Sequence, residues 1–241
     1  MNIAKRFERD GFAVVEGLAD ADLTARLGGL YDDVLAGRIA CGEDDRQLGG
    51  VTRQVMLPHR HHEGFASNPA IDRARELSKD FVRSDEPEFL FSMLIHKPGG
   101  HVHETPWHQD VSYSEQPFAA PGTRWPGHVI AQFWLALDDV DETMGCMEFV
   151  PGEHTKPMPE HVIASGDPDY EGRLLTTKDP EAAYDLDRVV RCPVPAGSAT
   201  VHSYSTPHRT GPNVSDRGRR AFIFSFANAP LLAELQAAQA A

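Results

Sequence analysis

The chain has 241 residues, of which 41% are hydrophobic, enough for one sizeable core, and all-β barrels of this length remain single domains. Its formal net charge is −13, whereas nucleic acid and anionic membranes both demand a concentrated basic surface; the expected partner is therefore a small molecule, with no nucleic acid and no membrane. The three cysteines, Cys41, Cys146 and Cys192, are too widely spaced for a disulfide framework or a zinc site, and there is neither an apolar leader core nor a run of about 20 apolar residues, so the expectation is a cytoplasmic protein whose oligomeric state the sequence leaves open.

A short helix opens the chain, and GFAVVEGL (residues 11–18) predicts a strand. Leu23, Leu27, Leu30 and Val34 then recur at helical spacing behind Asp20, a residue type suited to capping a helix N-terminus. A second helix is predicted over residues 68–82, with Asn68 as N-cap, Pro69 in the first turn, and Ile71, Ala74, Leu77 and Phe81 facing inward. Between the helices, His59, His61 and His62 form a dense run that reads either as a metal-binding cluster or as a solvated or substrate-facing patch.

After residue 85 the pattern changes to short apolar strands punctuated by Pro/Gly turns, at 89–97, 129–137, 147–150, 189–194, 198–204 and 221–227. This predicts an all-β core with flanking helices: a double-stranded β-helix, or jelly roll, of the cupin-like type over about 86–228, behind an N-terminal helical region of about 1–85 in the same domain. The less regular acidic stretch 158–187 reads either as a barrel insertion that covers a site or as a solvated loop.

The chemistry is concentrated in WHQDVSY (residues 107–113) and HRTGPN (208–213). His108 and Asp110 are two residues apart on a segment that follows a strand, so if the chain is extended their side chains share a face. A His-x-Asp arises about once by chance in a chain with 12 histidines, and an ordinary surface or hydrogen-bonded core histidine is the plain alternative. Together with His208, however, the pair could hold Fe(II) through two imidazoles and one carboxylate, leaving the opposite face open for a chelating cosubstrate and dioxygen. His96, His101 and His103 could line the pocket mouth, and His202 competes with His208 but lacks the GPN context.

Taken in order, MLIHKPG, WHQDVSY, FWLALDDVDETMGCMEFVPGEH and PAGSATVHSYSTPHRTGPNVSDRGRRAF resemble the phytanoyl-CoA dioxygenase family of Fe(II)- and 2-oxoglutarate-dependent oxygenases over nearly the whole chain. The resemblance implies His108, Asp110 and His208 as iron ligands and Arg219 as the group that binds the distal carboxylate of 2-oxoglutarate, supported by Thr210. A guanidinium fork suits that task because it pairs with a carboxylate through two parallel hydrogen bonds. Arg220 is the competitor, since neighbouring residues on a strand face opposite ways. The resemblance also nominates Trp134, Met93, Gln109 and Arg53 as cosubstrate contacts, although a Met or Trp on an apolar strand is otherwise plain core.

The implied reaction couples O2 and decarboxylation of 2-oxoglutarate, with release of succinate and CO2, to hydroxylation of a C–H bond. Relatives that halogenate lack the carboxylate ligand, which Asp110 supplies here; others desaturate, cyclise or epimerise. An acyl-CoA substrate would bring several phosphate charges, and no basic cluster is evident in the sequence, which favours a small metabolite or natural-product intermediate. The alternatives are a cupin-like isomerase or cosubstrate-independent dioxygenase on the same barrel, and a non-catalytic metal-bound module.

Overall fold

The structure is a computed structural model that describes residues 2–48, 52–114, 120–165 and 174–240. Helix α1 (Ile3–Asp10) ends at Gly11, whose φ of 85° is open to glycine at little cost. Strand β1 (Phe12–Val15) is shorter than residues 11–18 because Gly11 serves that cap and the chain turns again at Gly17. Helix α2 (Ala21–Leu35) begins where expected: the Asp20 carboxylate accepts the Leu23 N–H at 2.8 Å, and Leu23, Leu27 and Val34 are buried. Next come β2 (Asp45–Leu48), β3 (Thr52–Met56), the single turn α3 (Glu63–Ala66) and α4 (Pro69–Val82). The Asn68 side chain caps α4 by accepting from Ala70 and Ile71 N–H at 3.0 and 3.2 Å. Ile71, Ala74 and Phe81 face the core from this helix, with Leu77 partly buried beside them.

The remaining strands are β4 (Glu88–Lys97), β5 (Thr105–His108), β6 (Ile130–Ala136), β7 (Met147–Phe149), β8 (His161–Ile163), β9 (Leu175–Thr177), β10 (Val190–Cys192), β11 (Ala199–Ser203), β12 (His208–Thr210) and β13 (Arg219–Ala227). A short α5 (Pro180–Ala183) follows β9, and α6 (Ala229–Ala240) follows β13. A seven-stranded sheet runs β1-β11-β6-β13-β4-β3-β2, a four-stranded sheet runs β10-β7-β12-β5, and β8 pairs with β9. Neighbours within these sheets pair antiparallel, and the two larger sheets form the jelly roll that the turn punctuation predicts.

The large sheet is buried on both faces, which explains why its central strands read as continuous apolar runs. On its outer face Phe133, Leu135, Phe222, Phe224 and Phe226 pack with Phe7, Leu27, Ile71 and Phe81 from the helices. On its inner face Trp134, Ala136, Ala221 and Ile223 meet Met147 and Phe149 of the small sheet. Phe133 and Phe224 stack at 5.5 Å, and burying one such side chain contributes roughly 1.5–3 kcal/mol. This alternation also decides which polar residues point into the barrel.

The expected division near residue 85 does not hold, because β1, β2 and β3 come from the N-terminal region and join the large sheet. DRQL forms the edge strand, where charges are tolerated and even protective, and TRQVM lies next to it; both are short and polar, so they carry no inward alternation to read. The three-residue strands β8, β9 and β12 escaped notice for a simpler reason: each is too short to show a period.

Candidate metal and cosubstrate centre

In the small sheet, His208 on β12 lies directly opposite His108 on β5, with Phe149 of β7 on its other side. The backbone stays extended through Gln109 (φ −121°, ψ 133°), so Asp110 returns to the face of His108 just before the chain tightens into a 3₁₀ turn. The His108 and His208 rings are 4.2 Å apart, and the Nε2 atom of each lies 3.7 Å from Asp110 Oδ1. That spacing is too long for hydrogen bonds. The ligand atoms of the three residues all lie within 4.8 Å of one another, the one such His/Cys/Asp/Glu group among the described residues.

The surroundings fix which atoms face the centre. His108 Nδ1 contacts Pro106 O at 2.8 Å, and His208 Nδ1 contacts Thr206 O at 2.9 Å. A carbonyl only accepts, so each Nδ1 carries the proton and each Nε2 presents a lone pair. Burial lowers the pKa of both histidines and favours this neutral form. Burial alone would raise the Asp110 carboxyl, but His208, the hydrogen bond from His202, and His108 outweigh it and hold it below the usual carboxylate range. Two neutral imidazoles and one ionised carboxylate fit Fe(II) by donor type and leave positions for other ligands.

The second carboxylate oxygen, Asp110 Oδ2, accepts from Gln132 Nε2 at 2.7 Å and from His202 Nε2 at 3.0 Å. His202 on β11 is therefore not an alternative to His208 but the residue that orients Asp110, a role the sequence reading missed. Gln132 was also missed, although it is the one polar residue in the buried run IAQFWLA. Since partners of this kind typically contribute about 10–100-fold to metal affinity, His202→Ala is expected to weaken Fe(II) binding by that factor in anaerobic titration. His208→Ala should cost more than His202→Ala, and the reverse order would exchange their roles.

Deeper in the barrel, Arg219 is 1% exposed and shares the inward face of β13 with Ala221 and Ile223. Its guanidinium lies 5.1 Å over the Trp134 ring, and Nη1 donates to the Gly145 carbonyl. Gly145 has a φ of 70°, and a Cβ there would collide with the Gly211 carbonyl, so only glycine brings that acceptor so close. Arg219 Nε has no hydrogen-bond partner, and Arg219 makes no ion pair among the described residues. Burial lowers its pKa to about 10, so it remains a cation at neutral pH, with no carboxylate in contact among the described residues. Thr210, 5% exposed, lies two residues beyond His208 on the same face of β12. These features fit the distal carboxylate of a dicarboxylic cosubstrate.

Arg220 faces outward, bound to Asp138 at 2.7 Å and to Asp32 of α2 at 2.8 Å. Met93 packs against the interior cluster with Trp134. Gln109 and Arg53 do not join the group. The Gln109 side chain points away from the ligands and contacts Ser205 O and Tyr184 Oη, as alternation along an extended segment requires. Arg53 occupies the outer face, where it donates to Asp45 at 2.8 Å and to the carbonyls of Leu35 and Val34 at the end of α2.

The His59, His61 and His62 run disperses to separate partners: Ser92 Oγ, Asp44 Oδ2 and the Gly64 N–H, respectively. His101 bonds Thr52 Oγ1 and accepts the His103 N–H, while His96 lies opposite Arg53 and Arg220 on the outer face. Of the stretch 158–187, residues 166–173 fall outside the described residues. The rest places the β8–β9 hairpin beside the ligands: Leu175 N–H donates to Tyr113 Oη at 3.0 Å, Gln109 N–H donates to His161 Nε2 at 3.2 Å, and Thr176 Oγ1 donates to Trp107 O at 3.3 Å. The hairpin thus flanks the centre rather than hanging free in solvent.

A jelly roll that carries two imidazoles and a carboxylate on its small sheet, with an uncompensated guanidinium inside, has the fold and site of the non-haem Fe(II) oxygenases that use 2-oxoglutarate. The family model for phytanoyl-CoA dioxygenase (PhyH) matches residues 7–221, and the chain belongs to that family. Peroxisomal phytanoyl-CoA dioxygenase of Bos taurus is 25% identical over 248 residues, covering 93% of this chain and 67% of the relative. Among solved structures, EvdO2 from Micromonospora carbonacea var. aurantiaca, complexed with 2-oxoglutarate, superposes with a TM-score of 0.75 at 28% identity over 93% of this chain and 89% of that one. The epimerase SnoN, in complex with Fe3+, α-ketoglutarate and nogalamycin RO, gives a TM-score of 0.71 at 25% identity over 94% and 82%.

Proposed function

We propose that this protein is a cytoplasmic Fe(II)- and 2-oxoglutarate-dependent dioxygenase that hydroxylates a C–H bond of a small metabolite or natural-product intermediate. The observation that carries the reading is the pairing, inside one barrel, of the His108/Asp110/His208 donor group with a buried Arg219 that has no anion of its own. His108, Asp110 and His208 would hold the metal, and Arg219 with Thr210 would hold the distal carboxylate, leaving the opposite end of the cosubstrate directed to the metal ligands. Bound there, iron and 2-oxoglutarate supply the oxidising chemistry: R–H, O2 and 2-oxoglutarate give R–OH, succinate and CO2.

The protein's own share is positional. Gln132 and His202 occupy Asp110 Oδ2 and leave Oδ1 facing the two Nε2 atoms. The carbonyls of Pro106 and Thr206 lock the imidazole tautomers. Trp134 and Met93 wall the cosubstrate space, and Tyr113, whose ring meets His108 edge-on at 5.8 Å, ties the β8–β9 hairpin beside the centre. Three free, buried thiols support a reducing compartment.

For the substrate, the fold gathers Arg6, Arg9, Arg188 and Arg191 around one concavity beside β1 and β10, a cluster not evident in the sequence. Arg9 is paired with Asp10, and Arg191 lies near Glu142 and Glu148, so half of this charge is already met and a polyphosphate-bearing acyl-CoA is not favoured. SnoN is an epimerase, which makes the fate of the C–H bond the point to test. Succinate formation across a panel of polar metabolites should identify a substrate, and incubation under ¹⁸O2 should place one labelled oxygen in its product. O2 consumption that needs no 2-oxoglutarate would replace this reading with a cupin-like metalloenzyme, and an inverted but unoxygenated product would replace hydroxylation with epimerisation.

A further inference from the structure

Lys97 is fully buried at the end of β4, and its Cα partner across the sheet is Arg219. Cross-strand partners share a face, so both long cationic side chains enter the barrel interior. Neither forms an ion pair among the described residues. Lys97 Nζ instead donates to Thr210 Oγ1 at 2.8 Å, Gly211 O at 2.9 Å and Thr210 O at 3.4 Å. The first of these has a directional consequence: with its oxygen accepting from Lys97, the Thr210 hydroxyl has its own hydrogen left to give to an anion.

We propose that Lys97 is a positioning residue for the cosubstrate's distal carboxylate, aiming the Thr210 hydroxyl at it and supplying, beside Arg219, a second positive charge that selects a dianionic 2-oxo acid. The proposal rests on the assignment of Arg219 and Thr210 to that carboxylate. Two buried like charges on adjacent strands are unfavourable without a counter-ion, and an entering carboxylate supplies one. Burial and then the Arg219 charge pull the Lys97 pKa down to about 6, opposed only by Glu104. The charged or titratable groups around it are Arg219 on β13 and Glu104 and His101 in the segment after β4; Arg209 on β12 faces the other way, to Glu148. Without the carboxylate Lys97 tends toward the neutral amine, whose two N–H groups suffice for the shorter bonds to Thr210 Oγ1 and Gly211 O, and with it the ammonium is restored, so binding takes up a proton.

The test is anaerobic calorimetry on the Fe(II)-loaded protein with 2-oxoglutarate and with 2-oxopentanoate, which keeps the 2-oxo acid and lacks the distal carboxylate. The expected result is that Lys97→Met weakens 2-oxoglutarate binding about tenfold, the scale of one hydrogen bond to a charged group, and leaves 2-oxopentanoate unchanged. Lys97→Arg should restore the selectivity. In two buffers of different ionisation enthalpy near pH 7.5, the wild type should take up protons with 2-oxoglutarate, and Lys97→Arg should not. Lys97→Gln, which keeps a donor toward Thr210 without the charge, replaces the Met variant if that fails to fold. Equal losses for both acids would overturn the proposal and leave the oxygenase reading standing; failure of the wild type to prefer 2-oxoglutarate at all would overturn both.

Discussion

Fe(II) affinity is expected to fall by more than about 100-fold in His108→Ala and in His208→Ala, because removing even the outer partners of metal ligands typically costs about 10–100-fold. Each variant deletes one of three donors whose atoms lie within 4.8 Å of one another, and no other such group among the described residues can take its place. Anaerobic Fe(II) titration measures this directly. Asp110→Ala should abolish most succinate formation for the same reason and has a second consequence. It strands the donors of Gln132 and His202, which now meet the carboxylate at 2.7 and 3.0 Å, so the loss should exceed that of His202→Ala. With Asp110 present, the wild type should give oxygenated and no chlorinated product even in high chloride. A chlorinated product, or full Fe(II) affinity in His208→Ala, would sink the assignment.

The second large effect concerns Arg219. Removing one partner of a buried, hydrogen-bonded charge pair costs about 2–5 kcal/mol, so Arg219→Ala should weaken 2-oxoglutarate at least about 30-fold, taking roughly tenfold per 1.4 kcal/mol. The empty protein should not suffer in proportion, because the guanidinium is buried without a counter-charge and its Nε has no partner. Arg220→Ala should show the opposite profile: unchanged cosubstrate affinity, and a stability loss of about 1.5 kcal/mol from the lost bonds to Asp138. Equilibrium binding and denaturant unfolding of the two variants separate these outcomes. Loss of 2-oxoglutarate binding in Arg220→Ala alone would mean that β13 faces the other way.

How much of this was readable before folding follows from the range of each interaction. Asp20 and Asn68 were legible as caps because capping is satisfied within three residues, and the buried strands around Phe133 and Phe224 were legible because burial on both faces leaves an unbroken apolar run. His108 and Asp110 could be paired because an extended backbone fixes their common face, and that the backbone stays extended through Gln109 is seen in its dihedral angles. Arg219 against Arg220 was a choice of two set by the same alternation, but nothing local says which face is the barrel interior.

The rest waited on tertiary structure because it depends on residues brought together from distant parts of the chain. His202 looked like a rival to His208, yet β11 carries it to the far oxygen of Asp110, 92 residues away. Arg53 looked like a basic contact, yet its place on β3 turns it outward to Asp45 and the end of α2. Lys97 drew no attention in MLIHKPG, and only the register of β4 against β13 sets it across from Arg219 and within reach of Thr210. The sequence by itself determined the caps, the apolar faces and the common face of His108 and Asp110, since local geometry and side-chain period are enough to specify them, whereas His208 joined them through the family resemblance. The tertiary structure alone decided which polar residues support the donors and where an uncompensated positive charge sits, because sheet register and burial place those groups and neither is written in any short stretch of chain.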